Sequence, residues 1–182
     1  MKPCQTPKEI WETYSNKEKL FVEHIFPVTP WLTDIVYPGV KCIVFAYCDR
    51  GISCWKEFAD FLHRSFPDLE SLFLQQTYTG RKCKEAEEKH FLDFFYDPWL
   101  LHIWIYDHRS GFIDDARIVP EGKVRVLLLE NNCGCGYDPV RNERCPHELL
   151  KEEMERLVFF CQRKPSAKGQ FRTLTSKDLL QQ

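Results

Sequence analysis

No apolar run in this 182-residue chain approaches the roughly 20 residues needed to cross a bilayer, so no transmembrane helix is expected. Its opening, Met1-Lys-Pro-Cys-Gln-Thr-Pro-Lys8, is polar and lacks the apolar centre of a secretory leader. Excess positive charge is missing too: 25 Lys and Arg stand against 27 Asp and Glu, a net charge of −2. Basic residues gather only at Arg81-Lys82 with Lys84 and at Arg163-Lys164 with Lys168 and Arg172. The broad cationic surface that supplies most nucleic-acid affinity is therefore not evident, and a solvated surface of mixed charge is expected. There is no glycine-rich phosphate loop, no Gly-x-Ser-x-Gly nucleophile elbow, no internal repeat and no low-complexity block. These absences remove nucleotide-loop and serine-hydrolase chemistry, and no small-molecule cofactor is implied.

Apolar and aromatic residues are plentiful. At 43% hydrophobic and 14% aromatic, the chain suits one well-packed domain, expected over 1–165, followed by a polar, mobile tail over 166–182. Nine cysteines, an odd number scattered without a small secreted framework, point to buried thiols or metal ligands in a reducing compartment. Cytoplasm or nucleus is the expected location.

The centre of the chain reads strand, turn, helix, strand. Lys41 to Tyr47 is a β-branched apolar run suited to a sheet covered on both faces, broken by Asp49-Arg50-Gly51. Ser53 is placed to cap a helix whose apolar positions Trp55, Phe58, Ala59, Leu62 and Phe66 recur at helical spacing before Pro67-Asp68 ends it. A strand follows at Leu72 to Thr77. A βαβ unit crosses over into a parallel sheet, and ligands bind beyond the carboxyl ends of such strands, so chemistry is expected between Tyr47 and Cys54.

Phe45-Ala-Tyr-Cys-Asp-Arg-Gly-Ile-Ser-Cys-Trp-Lys56, with Ala59-Asp-Phe-Leu62, Phe66-Pro-Asp-Leu69 and Leu72-Phe-Leu-Gln-Gln-Thr-Tyr78, resembles the core of the AID/APOBEC polynucleotide cytidine deaminases. The resemblance covers about 16–108 and returns at 147–174. It implies a three-layer cytidine-deaminase-like α/β fold, with a mixed central sheet flanked by helices. That family carries a Pro-Cys-x-x-Cys zinc motif in the turn and a His-x-Glu motif upstream. In ungapped register the second cysteine is Cys54, but the first is Gly51; the glutamate is Glu18, but the histidine is Asn16. Two of three zinc ligands are absent in this register. One thiolate cannot hold a metal with an open corner for activated water, so a catalytically degenerate protein is implied. A rearranged site would draw on His24, Cys48 and Cys54.

Outside this core, Thr6 is placed to cap a short helix from Pro7, and Lys19 to Phe26 reads as helix or strand. A helix is expected from Lys84 to Phe95, and buried strands over Trp99 to Tyr106 and Val124 to Leu129. Phe112 to Val119 is a candidate helix, and 120–145 an insertion or remodelled edge. Glu148 to Cys161 carries early acids and an apolar stripe of Leu150, Met154, Leu157, Val158 and Cys161, which specify a helix lying on the sheet. His102 reads as a hydrogen-bonded core histidine, His63 as surface, and Trp31, Trp55, Trp99 and Trp104 as core aromatics.

Cys133-Gly-Cys135 and Cys145-Pro-His147 have the donors and spacing of a closed tetrahedral zinc site, with Gly134 and Gly136 permitting tight turns. Such a site stabilises and leaves no position for a reacting water. Three functions follow as expectations: a degenerate deaminase-fold protein that binds a protein partner or single-stranded nucleic acid, an active deaminase with a rearranged zinc site or a thiol mechanism at Cys48 or Cys54, and a zinc-stabilised interaction adaptor.

Overall fold

The computed structural model describes residues 5–23, 34–48, 52, 54–76, 85–107, 122–129, 146–163, 171–175 and 178–179. Helix α1 (Pro7–Thr13) starts at a capping box: Thr6 Oγ1 accepts the Glu9 N–H at 3.2 Å and Glu9 Oε2 accepts the Thr6 N–H at 2.8 Å. A 3-10 turn at Asn16–Glu18 leads into β1 (Lys19–Glu23), so this ambiguous stretch is a strand. Then come β2 (Cys42–Cys48), α2 (Trp55–Ser65), β3 (Ser71–Gln76), α3 (Glu85–Phe95), β4 (His102–Asp107), β5 (Val124–Leu129), α4 (Pro146–Arg163) and β6 (Arg172–Thr175).

The strands form one sheet in the order β5-β4-β3-β2-β1-β6, with helices on both faces, the expected three-layer α/β arrangement. Every described pairing is parallel, where a mixed sheet was expected. The reason lies at the start of the chain, where the residues before β1 form α1 and a 3-10 turn instead of the partner strand that an antiparallel hairpin requires.

Alternation along the strands separates the two layers. Leu20, Val22, Ile43, Phe45, Leu72, Leu74, Ile103 and Ile105 face α2 and α3, while Phe21, Val44, Phe73, Trp104 and Val126 face α1 and α4. The first layer is strongly aromatic. Trp55 lies 4.6 Å from Phe91, 5.5 Å from Phe94 and 5.8 Å from Phe58 between ring centroids. Each buried ring contributes roughly 2–3 kcal/mol by removal from water, with an added preference for these edge and offset contacts.

Two boundaries depart from expectation. The N-cap of α2 is Cys54, whose side chain makes no capping hydrogen bond; Ser53 lies outside the described residues. Within 166–182, expected as a mobile tail, Arg172–Thr175 pairs with β1 and Leu179 is fully buried. Phe171 explains the anchoring: its ring meets Trp11 edge-on at 5.4 Å and Phe21 at 6.4 Å, and that apolar contact outweighs the polar composition around it. β5 forms the opposite edge of the sheet; the rest of 120–145, and the candidate helix at Phe112 to Val119, lie outside the described residues apart from Gly122 and Lys123.

Candidate functional site

Because the sheet is parallel, its two ends are chemically distinct. Lys19, Cys42, Ser71, His102 and Val124 form the row at the amino ends of β1 to β5. At the carboxyl ends, Cys48 is opposite Gln76 and Gln76 opposite Asp107, and the register of β2 against β3 shifts between Phe45 and Cys48. Such a bulge re-aims the strand just where it runs toward α2.

The residues in deaminase register are divided between these ends. Asn16 and Glu18 belong to the 3-10 turn that feeds the amino end of β1. Cys54 follows the carboxyl end of β2, seven residues or about 20 Å of strand away. Gly51 lies outside the described residues. Glu18 and Cys54 are therefore not brought together.

Glu18 has other partners. Its Oε1 lies 2.9 Å from Lys41 Nζ, and its Oε2 accepts the Ser15 N–H at 2.9 Å and the Ser15 hydroxyl at 3.0 Å. The Lys41 hydrogen bond and then the Ser15 bonds hold its carboxyl down at about 2. A carboxylate so held is a poor proton acceptor near neutral pH. The Ser15-x-x-Glu18 spacing that produces this arrangement is itself a readable capping signature.

Beside it runs a hydrogen-bonded chain. Tyr14 Oη lies 2.8 Å from Ser71 Oγ, and Ser71 Oγ lies 2.8 Å from His102 Nδ1. Burial, then the nearby Arg125 charge, pushes the His102 pKa down, and burial pushes Tyr14 up to about 12. The neutral forms complete the chain, which can run from Tyr14 through Ser71 to the imidazole nitrogen or in the reverse order from Nδ1–H through Ser71 to Tyr14, according to the tautomer. Ser71 is fully buried, so this serine–histidine pair is closed to a substrate and holds α1 to β3 and β4. His102 is thus the core histidine its apolar surroundings suggested.

The remaining expected residues separate in the same way. His63 is half-exposed, stacked 3.8 Å from the Trp99 ring with Nε2 3.3 Å from Asp97 Oδ2. Cys42 and Cys161 are buried between β2 and α4, where burial holds Cys42 well above its usual range and Cys161 up at about 12, unsuited to thiolate chemistry. Cys48 ends β2, and His24 lies outside the described residues. Cys133, Cys135 and Cys145 fall outside them as well, between β5 and α4, and His147 is the second residue of α4. Among the described residues no group of three or more His, Cys, Asp or Glu side chains could hold a metal ion.

A cleft that sequence reasoning missed lies against α4. The helix runs antiparallel to the strands: the Lys151 ammonium sits 5.2 Å over the Tyr106 ring, near the carboxyl end of β4, whereas Cys161 and Lys19 interact near the amino end of β1. Gln75 of β3 and Glu152, Glu155, Arg156, Phe159 and Gln162 of α4 line about 530 Å³. Arg156 is held by Glu153 at 2.5 Å and Glu152 at 3.8 Å. Phe159 is 57% exposed, an apolar ring in a polar setting. Its only sequence signal was a phenylalanine off the apolar stripe of α4, and Gln75 stood unremarked inside a strand.

Comparison with known protein families, with curated proteins and with solved structures finds no match for this chain.

Proposed function

We propose that this chain is a non-catalytic binding protein on a deaminase-like α/β scaffold, acting through a protein partner. One observation carries the reading: Glu18 is fixed at the amino end of the sheet by Lys41 and Ser15, while Cys54 caps α2 beyond the carboxyl end of β2. A deaminase needs its glutamate and its metal-bound water at one place, and a register that separates them by a strand length removes that chemistry. The scaffold reading draws on the strand–helix–strand–helix–strand order from β2 to β4, the stretch that carries the family resemblance. A protein partner suits the net charge of −2 and an α4 cleft lined by two glutamates and one arginine better than a phosphate backbone does.

Structural zinc at Cys133, Cys135, Cys145 and His147 belongs to the same proposal. Three thiolates and an imidazole fit a closed tetrahedral site. Chain purified without chelator should carry about one zinc equivalent, lost in Cys133→Ser and Cys145→Ser.

A second reading, an active deaminase with zinc drawn from His24, Cys48 and Cys54, is favoured by one feature. β1 and β2 are adjacent and parallel, with Glu23 opposite Ala46, so the chain leaves both strands at the same edge. Assay of cytosine deamination on single-stranded DNA and RNA separates the two readings. The binding reading expects turnover equal to a protein-free control; turnover abolished by Cys54→Ala establishes the rearranged site, and turnover abolished by Glu18→Gln restores the original register.

A further inference from the structure

We propose that the hydrogen-bonded chain Tyr14–Ser71–His102 is a proton relay: the charge state of His102 on β4 decides whether the half-buried Tyr14 hydroxyl, at the end of α1, turns a lone pair or its proton outward. Two contacts of 2.8 Å make the chain, Tyr14 Oη to Ser71 Oγ and Ser71 Oγ to His102 Nδ1. Ser71 is fully buried, and its hydroxyl has no other partner among the described residues. The relay goes beyond the binding reading above and does not depend on it.

A hydroxyl carries one proton. Placed between two partners, Ser71 can donate to only one of them, so the other must donate to it and both bonds run in the same direction. Two donors into Ser71 Oγ would strand its own proton in the interior, at the cost of an unmade bond. An imidazolium bears hydrogen on both ring nitrogens, so a charged His102 donates through Nδ1, Ser71 donates to Tyr14, and the phenolic proton leaves the chain. A neutral ring with its proton on Nε2 does the opposite. Tyr14 then donates to Ser71 and Ser71 to Nδ1, with only a lone pair left facing outward. That tautomer, the one ordinary histidine favours in water, is what the relay requires.

The charges around the ring place the change below the usual histidine range. Burial and then the Arg125 guanidinium on β5 push the His102 pKa down, and the Glu70 carboxylate just before β3 opposes them. On the other side of the chain, Glu70 and the Cys42 thiol of β2 bear on Tyr14, whose hydroxyl, pushed up to about 12 by burial, keeps its proton throughout. Cys42 is itself held neutral by burial, beside Cys161 of α4 and Lys19 of β1. Glu70 is the carboxylate whose charge acts on both ends, and an outward Tyr14 proton is drawn toward it. The main chain keeps the parts in place, with the Ser71 N–H donating to the Lys41 carbonyl at 2.9 Å and the His102 N–H to the Glu70 carbonyl at 3.1 Å.

The test is NMR of the full chain, labelled with nitrogen-15 and carbon-13, from about pH 8 down to about pH 4, a range that brackets histidine titration. Neutral His102 should carry its proton on Nε2 and leave Nδ1 bare, and the resonance of the Tyr14 ring carbon that bears the hydroxyl should move with the same midpoint as His102. Ser71→Ala should abolish that Tyr14 movement while His102 still titrates, with circular dichroism checking that the variant is folded. Tyr14→Phe decides the matter should Ser71→Ala unfold: it removes the acceptor that Ser71 needs when His102 is charged, so the His102 midpoint should fall below that of the parent protein. The relay is overturned by a neutral His102 protonated on Nδ1, by a Tyr14 response that survives Ser71→Ala, or by a His102 midpoint that Tyr14→Phe leaves unchanged or raises. None of these measurements involves a partner, so failure here leaves the binding reading standing.

Discussion

The Lys41 ammonium meets the Glu18 carboxylate at 2.9 Å, tying the residue before β1 to the residue before β2. The main chain repeats the link, since the Lys41 N–H donates to the Glu18 carbonyl at 2.9 Å. A glutamate that would serve as a proton shuttle in the resembled family thus closes the amino edge of the sheet.

That role predicts a pH response. The Glu18 carboxyl lies at about 2 in the folded chain and near its ordinary 4.5 when unfolded. The unfolded state therefore binds the proton first as pH falls, so the contribution is fully present above about 4.5 and is lost as pH drops toward 2. Urea midpoints measured across this window should fall less steeply in Glu18→Gln than in the parent protein.

Ser71 links two elements through its hydroxyl, and Ser71→Ala leaves the Tyr14 hydroxyl and His102 Nδ1 without their shared partner. Loss of about 1–3 kcal/mol in urea denaturation is expected. With its pKa lowered, His102 adds stability above its unfolded value that is lost as pH falls through the folded one; its ring resonance in NMR should titrate below the ordinary histidine value.

The aromatic layer under α2 and α3 depends on Trp55, which is fully buried against Phe58, Phe91 and Phe94. Trp55→Ala should cost about 3–5 kcal/mol, read as a lower urea midpoint. Thr6→Ala removes one exposed cap and should cost only about 1 kcal/mol.

Thiol accessibility follows the layers. Cys42 and Cys161 should resist alkylation in the native protein and react at least about tenfold faster after denaturation, by mass spectrometry. Cys54, half-buried at the start of α2, should label in the native state.

The Thr6 cap, the apolar strands and the α4 stripe were legible along the chain because they depend on near neighbours in sequence or on simple alternation. Phe171 and Leu179 were not, since an isolated apolar residue in a polar stretch reveals its burial only through distant partners, Trp11 and Phe21 for the Phe171 ring and the core on the opposite face of the sheet for Leu179.

Local spacing alone determined that this chain alternates helix and buried strand, and that a helix starts close to Cys54. Only the tertiary structure decided that Glu18 and Cys54 lie at opposite ends of the sheet, and that Gln75 and Phe159 share a cleft. Strand direction and partner choice are set by contacts between distant parts of the chain, and a parallel sheet turns that choice into the difference between one end and the other.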